Sequence, residues 1–116
     1  MKKTIAIALL AAGSFATSAL AAEVPLEKVK EKAKTCAACH GEDGNAAANP
    51  MYPRLAGQYH DYLARALHEY KSGDRKNPIM AGFVATLSED EIQGLSNYFA
   101  SLPGKLDDLS HHEQGD

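Results

Sequence analysis

The stretch that decides the reading of this chain is Cys36-Ala37-Ala38-Cys39-His40. Its two cysteines are the only ones in the 116 residues. A disulfide closing so short a loop would remove little entropy from the unfolded chain, making it a weak staple. A thioredoxin-like redox pair belongs beside a βαβ pattern, and no such strand-rich pattern accompanies this one. Zinc wants about four ligands, and no second CxxC or close histidine pair completes a set. His60 and His68 read as ordinary surface histidines. His40, directly after the second thiol, turns the pair into CxxCH, the haem-attachment pattern. The spacing has a chemical reason. Each thiol adds to one vinyl group on one porphyrin edge, and two intervening residues let one helical turn span that edge. The next imidazole then falls beneath the iron. Cys36 and Cys39 are therefore read as the attachment points of one covalently bound haem c, and His40 as the proximal iron ligand.

Upstream of this motif, Lys2 and Lys3 precede an apolar stretch from Ile5 to Ala12, and Ala19-Leu20-Ala21 follows as a small-x-small cleavage pattern. Gly13, Ser14, Thr17 and Ser18 dilute the apolar run, which is short for a membrane span. Residues 1–21 are expected to be a cleavable signal peptide, and the periplasm the destination. Taking Lys2 and Lys3 from the 12 basic residues leaves 10 against 15 acidic ones, a net of −5. Nothing in that balance suits nucleic acid, which calls for a clustered basic surface. With 45% apolar and 23% charged residues the chain is an ordinary globular protein of one domain, expected over 22–104. A core this small is marginal, and a covalently held cofactor would enlarge it. The polar tail, 105–116, is expected to be flexible, and its His111-His112 pair is read as solvated rather than metal-binding.

Downstream, the question is the sixth iron ligand. Iron with one protein ligand is open to gases and peroxide, whereas His and Met on opposite faces make a closed, electron-transferring centre. Met51 follows soon after His40 in a segment broken by Pro50 and Pro53. Met80 lies far enough on for the chain to pass over the distal face, within Asn77-Pro78-Ile79-Met80-Ala81-Gly82. Pro78 stiffens that segment and Gly82 relieves it, which suits a ligand-holding loop. A lone Met is ordinarily core filler; beside a haem motif, Met80 is read as the second axial ligand.

The chain now resembles the small bacterial class I cytochromes c, especially single halves of the dihaem periplasmic type. Carrying that resemblance are Cys36 to Gly41, Pro53-Arg54-Leu55-Ala56-Gly57-Gln58, Asn77 to Gly82 and a final helix. It implies an all-α cytochrome c fold, with His40 and Met80 as axial ligands. It also implies that the Pro53 carbonyl accepts a hydrogen bond from His40, fixing the ring and raising its basicity, and that Leu55 packs on the haem face. One CxxCH departs from the dihaem relatives, and the absence of a further cysteine pair departs from the disulfide-bearing ones.

About three main helices are expected around the haem. Leu26, Val29 and Ala33 recur at helical spacing and lead into the motif. A second helix after Gly57 places Tyr59, Tyr62, Leu63, Ala66, Leu67 and Tyr70 on one face, read as core beside the haem, and Gly73 stops it. The last helix opens with a capping box, Ser88 and Glu91, and a staple of Leu87 and Ile92. Ile92, Leu95, Phe99 and Leu102 form its buried stripe, and Pro103-Gly104 end it. Gly94 inside it costs roughly 1 kcal/mol relative to alanine; a close crossing with the first helix, against Ala33, accounts for that. The Gly-, Asn- and Pro-rich stretch 41–53 is a loop wrapping the haem edge.

Together these readings describe a monomeric electron carrier that catalyses nothing itself. It would serve transient redox partners such as a membrane oxidoreductase, a terminal oxidase or a reductase. The alternatives are an open-site haem sensor or peroxidase-like enzyme, with His60 or Arg54 as distal group, and a haem subunit of a larger oxidoreductase. Lys28, Lys30, Lys32 and Lys34 could steer an acidic partner; interleaved Glu27 and Glu31 favour a plain solvated face. Arg54, Gln58 and the tyrosines are candidate neighbours of the propionates.

Overall fold

The computed structural model describes residues 23–46 and 49–105. The expected signal peptide and the tail beyond Lys105 lie outside the described residues. Four helices follow one another: α1 (Leu26–His40), α2 (His60–Ser72), α3 (Pro78–Val84) and α4 (Glu89–Ser101). No strand occurs among the described residues. Helix α4 is the hub, packing on both α1 and α2, while α3 packs on α2.

Helix α4 forms where the sequence marks it. The Ser88 hydroxyl accepts from the Glu91 N–H at 3.2 Å, and Glu91 Oε2 accepts from the Ser88 N–H at 2.9 Å. Two otherwise orphaned donors are satisfied, an arrangement worth about 1 kcal/mol. Ile92, Leu95 and Phe99 point into the core, joined by Val29 and Ala33 of α1, Leu63 and Ala64 of α2, and Val84 and Leu87. Gly94 marks the crossing of α1 and α4. A Cβ there would sit 2.8 Å from Val29 Cγ2, so the close neighbour is Val29, in place of the expected Ala33. Across the same seam Lys32 Nζ lies 2.7 Å from Glu91 Oε1.

Two expectations need correction. The segment around Met80 is a short helix rather than a loop. Asn77 Oδ1 accepts from the N–H groups of Ile79 and Met80 at 3.0 and 3.1 Å, and Pro78 occupies the first turn. Proline there gives up a donor that had no partner anyway. The second correction concerns α2. Leu63 and Ala64 are buried, but Tyr59 and Tyr62 are 73% and 43% exposed, so the tyrosine edge of the stripe finds no protein to cover it. Helix α2 ends as expected at Gly73, left-handed at φ 89, whose N–H reaches the Glu69 carbonyl.

After α4 the chain is held tightly. The Gly57 N–H donates to the Phe99 carbonyl at 3.1 Å. Gly104 lies so close to the 56–57 segment that a Cβ would be 2.4 Å from the Ala56 oxygen, and Ala56 itself is wholly buried.

Candidate haem site

The last turn of α1 presents Cys36, Cys39 and His40. Residues three and four apart in a helix share a face, so the two thiols stack on one side. Both are half-buried and unpaired. Burial pushes the Cys36 thiol above its ordinary pKa and keeps it protonated, in spite of nearby Lys32. His40 is 5% exposed, and its Nδ1 lies 2.8 Å from the Pro53 carbonyl oxygen. A carbonyl can only accept, so Nδ1 carries the proton and Nε2 holds the available lone pair. The Tyr52 ring stands 6.1 Å from the imidazole, tilted by 59°.

The backbone that delivers Pro53 is laced to the turn after α1. The Ala46 N–H donates to the His40 carbonyl at 2.7 Å, and the Gly44 carbonyl accepts from Leu55 and Ala56 at 2.7 and 3.0 Å. Gly41 and Gly44 take φ of 87 and 72, and a Cβ on Gly44 would press on Ala56 and the Phe99 ring. These are positions only glycine fills without strain.

Asn45 is a residue that sequence reasoning missed. It is 3% exposed and spans three segments. Its Nδ2 donates to the carbonyls of Asp43 and Pro103 at 3.2 and 3.1 Å, and its Oδ1 accepts from the Lys105 N–H at 2.9 Å. The Asn45 backbone N–H in turn holds the Asp43 carboxyl below its ordinary pKa. Nothing periodic announces such a residue; the only signal is an asparagine set in a glycine-rich turn, where its side chain commonly bonds local backbone.

Met80 sits in the first turn of α3, half-buried against the core, as is Leu55. Beside it along α3, Ile79 and Phe83 are 58% and 50% exposed. Met51, the alternative ligand, is 85% exposed in the loop. The donor set fits a haem: two thiols on one helical turn, an imidazole oriented through Nδ1, and a thioether beside large apolar side chains that lack protein cover. Among the described residues no group of three or more His, Cys, Asp or Glu is placed to hold a metal.

The remaining candidates have other occupations. Arg54 donates from Nε to the Asn45 carbonyl at 3.2 Å and from Nη1 to the Lys105 carbonyl at 3.3 Å. Gln58 accepts from the Tyr59 N–H. Among the α1 lysines, Lys30 pairs with Glu27, Lys34 with Glu31 and Lys32 with Glu91, which favours the solvated-face reading. His68 lies 3.3 Å from Glu89. Two surface hollows lie elsewhere, about 710 Å³ along α2 and about 470 Å³ between α1 and α4, and neither is lined by the thiols, His40 or Met80.

The cytochrome c family profile matches residues 27–103, from the first turn of α1 to just past α4. The chain belongs to the cytochrome c family. Haem c, covalently bound, is the cofactor that membership implies. Cytochrome c4 of Pseudomonas aeruginosa is 44% identical over 70 residues, covering 60% of this chain and 34% of that protein. The cytochrome subunit of sulfide dehydrogenase from Chlorobaculum tepidum is 33% identical over 103 residues, 84% of this chain and 92% of that subunit. A cytochrome c4 structure from Acidithiobacillus ferrooxidans matches the fold with a TM-score of 0.61 at 27% identity, covering 69% of this chain and 51% of that one. This cytochrome c thus spans a third to a half of the length of those two cytochromes c4. The expected all-α cytochrome c fold is the one observed, with α3 added to the three expected helices.

Proposed function

We propose that this cytochrome c is a periplasmic carrier of single electrons, exported by the signal peptide 1–21, with one haem c on Cys36 and Cys39. In this reading His40 and Met80 are the axial ligands, and the protein performs no catalysis of its own. When bound, the haem supplies a centre that takes up and releases one electron. The chain's own residues do the rest. Pro53 holds His40 by Nδ1 and so aims Nε2 away from its own backbone. Asn77 and Pro78 preset the turn that carries Met80, so the thioether is presented by a capped helix. Leu55 adds apolar cover, which limits water at the site. A thioether ligand in apolar surroundings favours the reduced state and a positive potential. The observation that carries this reading is the 2.8 Å bond between His40 and the Pro53 carbonyl, because it fixes the tautomer a ligating histidine needs.

The partners in this reading are transient redox proteins: a membrane oxidoreductase as donor, and a terminal oxidase or reductase as acceptor. A second reading, a haem subunit of a larger dehydrogenase, is favoured by the 92% coverage of the Chlorobaculum subunit. Sizing the native protein from its own periplasm separates these: a free carrier elutes as a monomer, a subunit with a second chain. The reading of the site is tested by the visible spectrum of the exported protein with carbon monoxide added after reduction. Low-spin bands, the weak red band of ferric Met ligation and no response to carbon monoxide are expected. A high-spin spectrum that shifts with carbon monoxide would overturn the closed site and return Met80 to plain packing.

A further inference from the structure

We propose that Asn45 is a positioning residue for His40, acting through the loop that carries the Pro53 carbonyl. Both N–H groups and the oxygen of its amide are engaged. Two N–H groups go to carbonyls of Asp43 and Pro103, and the oxygen takes the Lys105 N–H. Its own carbonyl accepts from Arg54, the residue after Pro53, and the other end of that guanidinium reaches the Lys105 carbonyl. Asn45, Arg54 and Lys105 therefore close a ring of contacts joining the turn after α1, the Pro53 segment and the chain leaving α4. One side of that ring is the backbone of Pro53, whose oxygen holds His40 Nδ1 at 2.8 Å. The other is the backbone of Ala46, whose N–H holds the His40 carbonyl at 2.7 Å. The histidine is thus gripped at ring and backbone by the two segments that Asn45 links.

Burial makes the role demanding. A side-chain amide that is 3% exposed cannot exchange a lost partner for bulk water, and each unmet group costs about 1–3 kcal/mol. Replacing Asn45 by alanine keeps its backbone carbonyl on Arg54 but removes the three side-chain bonds to Asp43, Pro103 and Lys105. The ring then opens at Lys105, where the Arg54 guanidinium has its other anchor, and the Pro53 segment is held less tightly against His40. The inference rests on His40 being an iron ligand, which the spectrum of the parent protein tests on its own.

The experiment compares Asn45→Ala, Asn45→Ser and Ser96→Ala holoproteins with the parent. Ser96 is equally buried, with its hydroxyl on the Ile92 carbonyl inside α4, and so reports generic destabilisation. Two readouts are taken: solvent exchange of the His40 Nδ1 proton by NMR, and the midpoint potential. In Asn45→Ala the ring proton should exchange at least about tenfold faster and the potential should rise, because a histidine with a weakened Nδ1 bond is a poorer donor to ferric iron. Serine, keeping one hydroxyl, should fall between parent and alanine, and is read in the same way should the alanine variant not accumulate. Ser96→Ala should leave both readouts at parental values. Exchange and potential unchanged in the Asn45 variants, or moved equally by Ser96→Ala, would overturn the role.

Discussion

The seam between α1 and α4 and the face of α2 and α3 are built on opposite terms. At the seam, protein meets protein. Gly94 admits Val29, Lys32 reaches Glu91, and Ile92, Leu95 and Phe99 are buried. Along α2 and α3, by contrast, Tyr59, Tyr62, Ile79 and Phe83 stand exposed, with Met80 half-buried between Ile79 and Phe83 along the chain. The contrast teaches that the seam is specified by its own side chains, whereas α2 and α3, although they send Leu63, Ala64 and Val84 into the core, also carry large side chains that the protein leaves uncovered.

The largest test of that contrast lies on the uncovered face. Met80→Ala should turn a protein unresponsive to carbon monoxide into one that binds it when reduced. Its midpoint potential should also fall on the order of tenths of a volt, since axial ligands set haem potentials over a wide range. An unchanged red-region band in this variant would move the ligand elsewhere, with Met51 the next candidate. A smaller effect is expected at the seam. In Gly94→Ala the new methyl meets Val29 Cγ2 at 2.8 Å, and overpacking of this kind costs about 1–3 kcal/mol. Better helix propensity returns roughly 1 kcal/mol. Urea denaturation should show a net loss, and Val29→Ala in the same chain should recover part of it. A Gly94→Ala protein as stable as the parent would show the crossing to be loose.

The smallest effect belongs to the ion pair beside that glycine. The Lys32 ammonium, with help from the Ser88 N–H, holds the Glu91 carboxyl below its ordinary value of 4.5. A depressed folded-state pKa contributes stability that is complete above the unfolded value and is lost as pH falls through the folded one. Lys32→Gln should therefore flatten the acid side of the stability profile below about pH 5 and cost under ~1 kcal/mol at neutral pH, as partly exposed pairs do. An acid limb unchanged in Lys32→Gln would assign that pH dependence to another carboxylate.

How much of this was legible beforehand follows the same division. Helix α4 could be read almost residue by residue, because capping boxes, apolar spacing and terminating Pro-Gly are local signals. Helix α3 was mistaken for a loop although its signal was present. Asn77 followed by Pro78 is an N-cap with proline in the first turn, whereas Pro78 and Gly82 taken together read as loop residues. Tyr59 and Tyr62 read as core, as does Tyr70, which packs there, because periodicity tells which residues share a face, never what covers it. The placing of Cys36, Cys39 and His40 on one helical turn is legible from spacing alone, whereas the contacts of Asn45 are not, since its partners Pro103 and Lys105 lie 58 and 60 positions away.

Those distant partners carry a consequence for how the molecule is assembled. The contacts that shut the domain join Asn45 to Lys105, and Val29 to Gly94, so they form only after nearly the whole chain is in place. Closing such large loops must precede any reward from the contacts they bring. The thiols of α1, by contrast, need only one turn of helix to take their spacing. The connectivity therefore separates two requirements: the spacing of the cysteines is met within one local turn, and the closure of the domain needs residues far apart in the chain.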